Sequence, residues 1–198
     1  MPIFDYPKSQ IHYKQKPVIK FLVDKINARK IIEIGSWLGE STSEWAKAVI
    51  NKDGAEVLSV DWYKGNPETD LFDVAEQKDI YSIFRNNMRE LGVSDIIKTF
   101  VMSSSDAAKF VPDGYADIVY IDACHDYKNV RKDIAMWIPK LRAGGIIAGH
   151  DYESSEYDER YVDLDVFDHK HHGVIKAVNE SFDSINVEER IWWKIIEE

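Results

Sequence analysis

The chain has 198 residues, 44% of them hydrophobic and 30% charged, which is the composition of a globular protein. We expect one domain over residues 1–198. Nearly all of the net charge of −10 lies in residues 151–198, whereas a nucleic-acid-binding protein would need a basic face. The first residues are too polar for a signal peptide, and no apolar run is long enough to span a membrane. The single cysteine, Cys124, suits a reducing compartment. These features predict a cytoplasmic protein without nucleic-acid or membrane partners.

Short runs rich in valine and isoleucine alternate with amphipathic segments along the chain. The apolar runs predict buried strands at 30–35, 56–61, 98–102, 117–122 and 145–150. The segments between them predict helices at 40–50, 73–91, 105–110 and 129–141. A helix at 174–182 precedes two close runs, at 184–187 and 190–196, that we expect to pair as antiparallel strands. This alternation predicts a doubly wound, mostly parallel α/β sheet.

Two further segments flank these elements. Residues 1–28 predict an N-terminal helical cap, which either closes over a site or pairs with a second copy in a homo-oligomer. Residues 153–172, called the lid segment below, are acidic and lack periodicity, which is typical of a functional loop. We expect its aromatic residues and its histidines to fold over a substrate and help to select it; these are Tyr157, Tyr161, Phe167, His169, His171 and His172. For the histidines, a polar, solvated lid is favoured over a metal site.

The first predicted strand ends in the pattern Glu33-x-Gly35-x-x-x-Gly39. A dinucleotide-binding turn needs a second glycine two residues after Gly35, and Trp37 stands there. The pattern favours a ligand with hydroxyls and an ammonium group, the profile of S-adenosylmethionine (SAM). Asp61, at the end of the next strand, is placed to bind a ribose diol. The candidate SAM-binding residues are Glu33, Gly35, Ser36, Trp37, Gly39, Ser41, Thr42, Asp61, Trp62, Ser104, Ser105 and Asp122.

A second group of polar residues follows the fourth and fifth strands. Asp122 ends one strand and His150-Asp151 end the other, so their side chains should converge at one rim of the sheet. Two carboxylates and an imidazole favour a divalent cation, and we predict Asp122, His150 and Asp151 as its ligands. His125 lies within reach and is predicted as the general base, with Asp122 as its catalytic partner.

The motifs from Glu33 to Asp61 resemble the class I SAM-dependent methyltransferases. The segments Asp122–Tyr127 and Gly149–Tyr152 resemble the metal-dependent, catechol O-methyltransferase-like enzymes. They are more similar to the family-24 group, which includes macrolide-sugar O-methyltransferases and cephalosporin-hydroxylase-like proteins. Asp133, Trp137 and the run from Gly173 to Val178 also match that group.

This resemblance implies a Rossmann-like, seven-stranded sheet with an antiparallel last strand, and the cofactors SAM and Mg²⁺. Two residues depart from the catechol enzyme. His150 replaces a carboxylate, which favours Mn²⁺ or Fe²⁺ over Mg²⁺. His125 replaces the lysine base, and a histidine suits proton transfer near neutral pH.

The sequence thus predicts a SAM-dependent, divalent-metal-assisted O-methyltransferase. Its partner is a small hydroxylated acceptor, which we expect to be a sugar or glycoside because the acidic lid segment disfavours anions. Two alternatives stay open here. One is a non-haem-metal oxygenase that uses His150 with Asp122 and His125 or Asp151. The other is a protein that binds SAM without turnover.

Overall fold

The computed structural model describes residues 13–66, 69–153, 157–167 and 170–197. Its helices are α1 (Gln15–Lys25), α2 (Glu40–Val49), α3 (Asp70–Gln77), α4 (Ile80–Glu90), α5 (Ser104–Ala107), α6 (Tyr127–Trp137) and α7 (His172–Ser181). Its strands are β1 (Lys30–Ile34), β2 (Glu56–Asp61), β3 (Ile97–Val101), β4 (Ala116–Ile121), β5 (Leu141–Gly149), β6 (Asn186–Glu188) and β7 (Ile191–Ile195). Within these ranges no helix is both long and apolar enough to cross a membrane.

The strands form one seven-stranded sheet in the order β3-β2-β1-β4-β5-β7-β6. Strands β1 to β5 are parallel to one another, while β7 lies antiparallel between β5 and β6. The predicted Rossmann-like sheet with an antiparallel last strand is therefore confirmed. Because the order reverses between β1 and β4, the carboxyl ends of these two strands flank a crevice of the kind that binds ligands in open α/β sheets.

Apolar side chains cover both faces of the sheet, as the continuous apolar strand runs predict. Along β4, Ile118 and Tyr120 belong to one buried cluster, and Val119 and Ile121 belong to the other. The first cluster includes the inner faces of α1, α2 and α4, and the second includes those of α6 and α7. Two packed layers therefore hold the strand ends in fixed positions.

The predicted single helix at 73–91 is wrong, because the chain forms α3 and α4 instead. Lys78 is extended between them, with φ −137° and ψ 142°. Asp79 then caps α4, and its carboxylate accepts the Ser82 N–H at 3.0 Å and the Ser82 hydroxyl at 2.7 Å. An aspartate that bonds the backbone in this way favours a new helix start over a continuous helix.

The described part of the N-terminal cap is α1. Its side chains Val18, Ile19, Leu22 and Val23 are buried in the first cluster. Residues 1–12 of the predicted cap lie outside the described residues. Whether the cap closes over a site or joins a second subunit stays a prediction.

Candidate active site

A cavity of about 1180 Å³ lies at the carboxyl ends of the parallel strands. Its lining includes residues that follow β1, β2, β3, β4 and β5, which is the position that sheet topology predicts for a ligand. The volume is that of a site for a cofactor together with a small molecule. Ten of the predicted site residues contribute to its wall: Gly35, Trp37, Asp61, Trp62, Ser104, Ser105, Asp122, His125, His150 and Asp151.

Glu33 lies in the interior next to this wall. It is completely buried, and its carboxylate accepts hydrogen bonds from the hydroxyls of Ser36, at 2.9 Å, and Thr42. Burial raises the pKa of Glu33 to about 7, although the hydroxyls of Ser41, Thr42 and Ser36 oppose the rise. The structure therefore places Glu33 and these three hydroxyls under the turn, where they connect β1 to α2. Direct contact of these four residues with SAM stays a prediction.

The two glycines of the turn have different neighbours. Gly35 has φ +89°, and a Cβ there would overlap the backbone carbonyl of Asp122. Gly39 has φ +87°, and a Cβ there would overlap the side chains of Phe84 and Met88. Gly35 thus lets the ends of β1 and β4 approach closely, while Gly39 lets the start of α2 pack on α4.

Asp61 holds the turn in place. Its Oδ2 accepts the N–H groups of Ser36 and Trp37 at 2.9 and 2.7 Å, and its Oδ1 accepts the Tyr63 N–H at 2.6 Å. Burial raises the pKa of Asp61, and these backbone bonds oppose the rise. Next to it, Trp62 is 39% exposed along the cavity wall, where its indole is open to a ligand.

The small hydroxyl residues after β3 belong to a polar network. Ser104 donates to Asp133 at 2.6 Å and accepts the Trp137 indole N–H at 2.8 Å. The Ser105 hydroxyl accepts a hydrogen bond from Lys132 at 2.6 Å. Burial raises the pKa of Asp133 to about 6. This network gives the cavity a polar wall opposite Trp62, in accordance with the predicted positions of Ser104 and Ser105.

The predicted metal ligands come together as expected. His150 Nδ1 lies 3.2 Å from Asp151 Oδ1 and 3.7 Å from Asp122 Oδ1. Asp122, His150 and Asp151 each offer one ligand atom within 4.8 Å of the others. Asp151 has φ +58°, a left-handed conformation that aspartate tolerates better than most residues. This backbone turn directs its carboxylate back to the end of β4.

His125 lies on the other side of Asp151. Its Nε2 is 3.2 Å from Asp151 Oδ2 and 3.6 Å from Asp122 Oδ1. Its Nδ1 is 3.2 Å from Asp165 Oδ1, and its backbone N–H donates to the same oxygen at 3.0 Å. Burial lowers the pKa of His125, but the carboxylates of Asp122, Asp165 and Asp151 outweigh it and hold that pKa well above its ordinary value.

The lid segment differs from the sequence interpretation. His172 is buried and the His171 side chain is only 14% exposed, so neither is solvated, and His171 Nε2 lies 3.5 Å from Asp151 Oδ2. Tyr161 and Phe167 stack on each other with ring centres 3.5 Å apart. Leu164, Asp165 and Val166 line the cavity instead of the predicted aromatic residues. His169 lies outside the described residues.

Four contributors to the site carry no local sequence signal of their role: Gln15, Asp165, His171 and Arg190. Gln15 Nε2, on α1, lies 2.5 Å from His150 Nε2. Arg190, in the β6–β7 turn, contacts Asp151 Oδ1 at 2.5 Å and Glu153 at 3.0 Å. They reach the cluster from both ends of the chain, so only the tertiary fold brings them there.

The comparison with known families decides the identity of this fold. The Methyltransf_24 family, described as a methyltransferase domain, matches residues 32–152, which is more than half of the chain. The chain belongs to this methyltransferase family. The matched region begins in β1 and ends just after Asp151, so it takes in the Glu33–Gly39 turn, Asp61 and the carboxylate–histidine cluster.

Similar proteins agree with this fold. The methyltransferase domain is similar to the O-methyltransferase TomG from Streptomyces achromogenes, which is involved in tomaymycin synthesis and was solved in complex with SAM. The two chains are 16% identical with a TM-score of 0.71, and the match covers 98% of this chain and 85% of TomG. It is similar to an O-methyltransferase from Bacillus cereus solved with SAH, with 18% identity, a TM-score of 0.63 and coverage of 94% and 82%. The uncharacterized protein y4gI of Sinorhizobium fredii is 27% identical over an alignment of 168 residues. The alignment covers 79% of this chain but only 18% of y4gI.

The cluster of this methyltransferase domain fits a divalent cation by its donor chemistry. Two carboxylates and the His150 imidazole converge, and pairs of ligand atoms lie 3.2 to 3.7 Å apart. In tetrahedral coordination with bonds of about 2.1 Å, neighbouring ligand atoms are about 3.4 Å apart. The spacing suits a first-row ion, and the nitrogen donor favours Mn²⁺ or Fe²⁺ over Mg²⁺.

Proposed function

We propose that this protein is a SAM-dependent O-methyltransferase that uses a divalent cation and acts on a small hydroxylated acceptor, a sugar or a glycoside. The observation that carries the proposal is the single cavity wall shared by two groups of residues. One group is the Gly35–Trp37 turn with Asp61 and Trp62, and the other is the Asp122, His150 and Asp151 cluster. Family membership supports the first group, called the donor half below, as the site for the methyl donor SAM. The spacing of ligand atoms supports the cation.

The donor half binds by shape and hydrogen bonding. Gly35 lets the ends of β1 and β4 approach closely beside the crevice, where the methionine part of SAM is expected to lie. The Asp61 carboxylate accepts two N–H groups at Oδ2 and one at Oδ1, so Oδ1 retains an acceptor position for a ribose hydroxyl. Trp62 offers an exposed aromatic face to the adenine, and the Ser104 and Ser105 region offers polar groups to its edge.

The second group of residues, called the acceptor half, would activate a hydroxyl oxygen of the acceptor as the nucleophile. When bound, the cation would supply Lewis acidity that lowers the pKa of an acceptor hydroxyl. Asp122, His150 and Asp151 would hold the cation. The carboxylates that raise the pKa of His125 favour its protonated form, so His125 Nε2 would accept the hydroxyl proton only when their charge is neutralised, as a cation on Asp122 and Asp151 would do. Asp165 accepts the His125 backbone N–H at 3.0 Å and lies 3.2 Å from Nδ1, which positions the ring beside the cavity. Methyl transfer needs no covalent enzyme intermediate, and positioning of donor and acceptor is the main contribution of the protein.

The acceptor class follows from charge. Asp165 lines the cavity from the lid segment, next to the carboxylates of Asp122 and Asp151. An anionic acceptor would be repelled, whereas neutral or basic sugars have several hydroxyls that match these acceptors. No observation favours the oxygenase or the protein without turnover. The cytoplasmic location and the homo-oligomer also stay predictions.

The test is titration calorimetry of the wild-type protein with SAM, with and without Mg²⁺ or Mn²⁺, followed by transfer of labelled methyl groups from SAM to a panel of sugars, glycosides and catechols. We expect SAM to bind without cation, and transfer to a sugar or glycoside to need the cation. Absence of SAM binding would reject the donor site. Full turnover in both Asp122→Ala and EDTA-treated protein would reject the metal role.

A further inference from the structure

We propose that Asp151 bridges two cation subsites, and that the second one is formed by His125, Asp151 Oδ2 and His171. Its preferred ligand is a first-row transition-metal ion with high affinity for imidazole, such as Zn²⁺ or Co²⁺. This subsite is separate from the one formed by Asp122, His150 and Asp151 Oδ1, because each oxygen of the Asp151 carboxylate faces a different set of partners.

The distances support a real coordination position. His125 Nε2 and His171 Nε2 lie 3.2 and 3.5 Å from Asp151 Oδ2. The two imidazole rings are 4.2 Å apart between centres, and one ligand atom of each of the three residues lies within 4.8 Å of the other two. Neighbouring ligands of a tetrahedral ion with bonds of about 2.1 Å are separated by about 3.4 Å. Small side-chain adjustments would close this triad around an ion.

The outer partners of both histidines are those of metal ligands. His171 Nδ1 bonds the backbone carbonyl oxygen of Asp165 at 2.7 Å, and His125 Nδ1 lies 3.2 Å from the carboxylate of the same residue. A metal-binding histidine typically gives its other ring nitrogen to a carboxylate or a backbone carbonyl, which fixes the ring and its tautomer. Asp165 thus bonds the His171 ring and lies close to the His125 ring, and the Nε2 atoms of both rings lie near Asp151 Oδ2.

A second observation also points to a ligand here. Both ring nitrogens of His125 are buried, and within the described ranges neither has a hydrogen-bond partner of good geometry, although Asp151 Oδ2 lies near Nε2 and Asp165 Oδ1 lies near Nδ1. A buried polar atom without a partner is costly, and in native proteins such atoms call for an ion or a water molecule. A cation in the subsite would satisfy Nε2.

His171 is held in place by close packing at the start of α7. A Cβ on Gly173 would overlap the backbone carbonyl of His125 and the backbone nitrogen of Tyr127, so only glycine lets the two segments approach this closely. The Tyr127 N–H also donates to the Val162 carbonyl at 2.8 Å. These contacts tie the His171 segment to the turn that carries His125.

The functional consequence rests on the proposed function. If His125 Nε2 is the proton acceptor, an ion at the second subsite occupies the same lone pair. A transition ion that fills the second subsite would then inhibit methyl transfer, while an ion restricted to the first subsite would support it. The second subsite, to which the lid segment contributes His171, would thus make methyl transfer subject to inhibition by transition-metal ions.

The test measures binding stoichiometry rather than turnover, on tag-free full-length protein. We titrate Co²⁺ and Mg²⁺ separately, following heat for both ions and visible absorption for Co²⁺. We expect wild type to bind two equivalents of Co²⁺ and one of Mg²⁺. His171→Asn and His125→Asn should each lose one equivalent of Co²⁺, or weaken it by more than about a hundredfold, because even outer-partner changes cost 10- to 100-fold. Asp122→Asn should lose the other equivalent.

His172→Asn is the matched control. His172 is the next residue, is more buried than His171, and accepts the Asp158 N–H through Nδ1 at 3.0 Å, away from the cluster. It should keep both equivalents of Co²⁺.

If wild type binds one equivalent of Co²⁺ and His171→Asn binds the same amount, the second subsite is overturned and the proposed function is left intact. Equal losses in His171→Asn and His172→Asn would overturn it as well, because the effect would then belong to the folding of the α7 start. No binding of either ion would overturn the subsite and the metal role together, whereas SAM calorimetry tests the donor site separately.

Discussion

At the residue scale, the buried carboxylate of Glu33 links the SAM turn to stability. Strand side chains alternate, so Glu33 faces the same side of β1 as Ile31, towards the layer of α1 and α2. It is enclosed there by serine and threonine hydroxyls that can donate to a carboxylate or accept from a carboxylic acid. Its protonation state should therefore change the free energy of unfolding more than it changes contact with SAM.

We expect the stability of wild type to fall as the pH rises from about 4.5 to about 7. Burial raises the pKa of Glu33 to about 7, so in this window the folded protein retains a proton that the unfolded chain has released. Glu33→Gln keeps the size and removes the charge, and at pH 8 it should be more stable than wild type by up to about 3 kcal/mol. Urea unfolding at pH 5 and pH 8 measures this. At pH 5 the two proteins should match, and a constant difference at both pH values would contradict the assignment.

Asp61 offers a second prediction at this scale. Asp61→Asn replaces one acceptor oxygen by a donor that faces backbone N–H groups, so it should loosen the turn and weaken SAM binding by at least about tenfold. The control is Asp106→Asn. Asp106 is also an aspartate that follows a strand end, but it is exposed and pairs with Lys109. Calorimetry with SAM compares the two variants, and equal losses would exclude a special role for Asp61.

At the element scale, the approach of β1 to β4 depends on Gly35. Gly35→Ala adds a methyl group where the carbonyl of Asp122 lies, at a φ of +89°. We expect a loss of more than about 3 kcal/mol in stability, since a positive φ alone costs about 1–2 kcal/mol for an L-residue. Gly54→Ala is the control, because Gly54 has φ +71° and open space around its Cβ position. Similar losses in both variants, measured by chemical denaturation, would mean that backbone conformation alone explains the glycine.

The β6–β7 turn contributes Arg190, which competes with a cation for Asp151. Arg190→Met should tighten Mn²⁺ binding about two- to fivefold, because a half-exposed ion pair is worth at most about 1 kcal/mol. Arg142→Met is the control, since the similarly exposed Arg142 pairs with Asp117 at 2.5 Å at the opposite end of the parallel strands. Calorimetry with Mn²⁺ measures the affinity. An unchanged or weaker affinity in Arg190→Met would show that the arginine supports the site rather than competing for it.

At the scale of the whole molecule, the cavity draws its wall from five parallel strands and from the β6–β7 turn. A ligand there should stabilise the entire sheet rather than one part of it. At a SAM concentration of a hundred times Kd we expect about 2.7 kcal/mol of stabilisation, and a rise in Tm of roughly 5–10 °C in one transition. Differential scanning calorimetry provides the measurement. Two separate transitions, with only one shifted by SAM, would contradict this view.

The sheet, and the places where candidate site residues follow its strands, could be predicted from the sequence. Apolar runs bounded by polar residues mark the strand ends, and parallel neighbouring strands must present Asp122, His150 and Asp151 at one rim. Local spacing decides such features, because each residue follows directly from its own strand. The sequence pattern does not predict the break between α3 and α4, because the helical pattern is continuous there and the helix cap at Asp79 competes with it.

Only the tertiary structure decided which other side chains complete the cluster. Gln15, Asp165, His171 and Arg190 come from a helix, a loop and a turn whose positions depend on packing between distant segments. The close approach at Gly173 places His171, and the pairing of β7 between β5 and β6 places Arg190. Contacts of this kind have no period or spacing in the chain, because they are set by how the layers pack and not by the residues beside them.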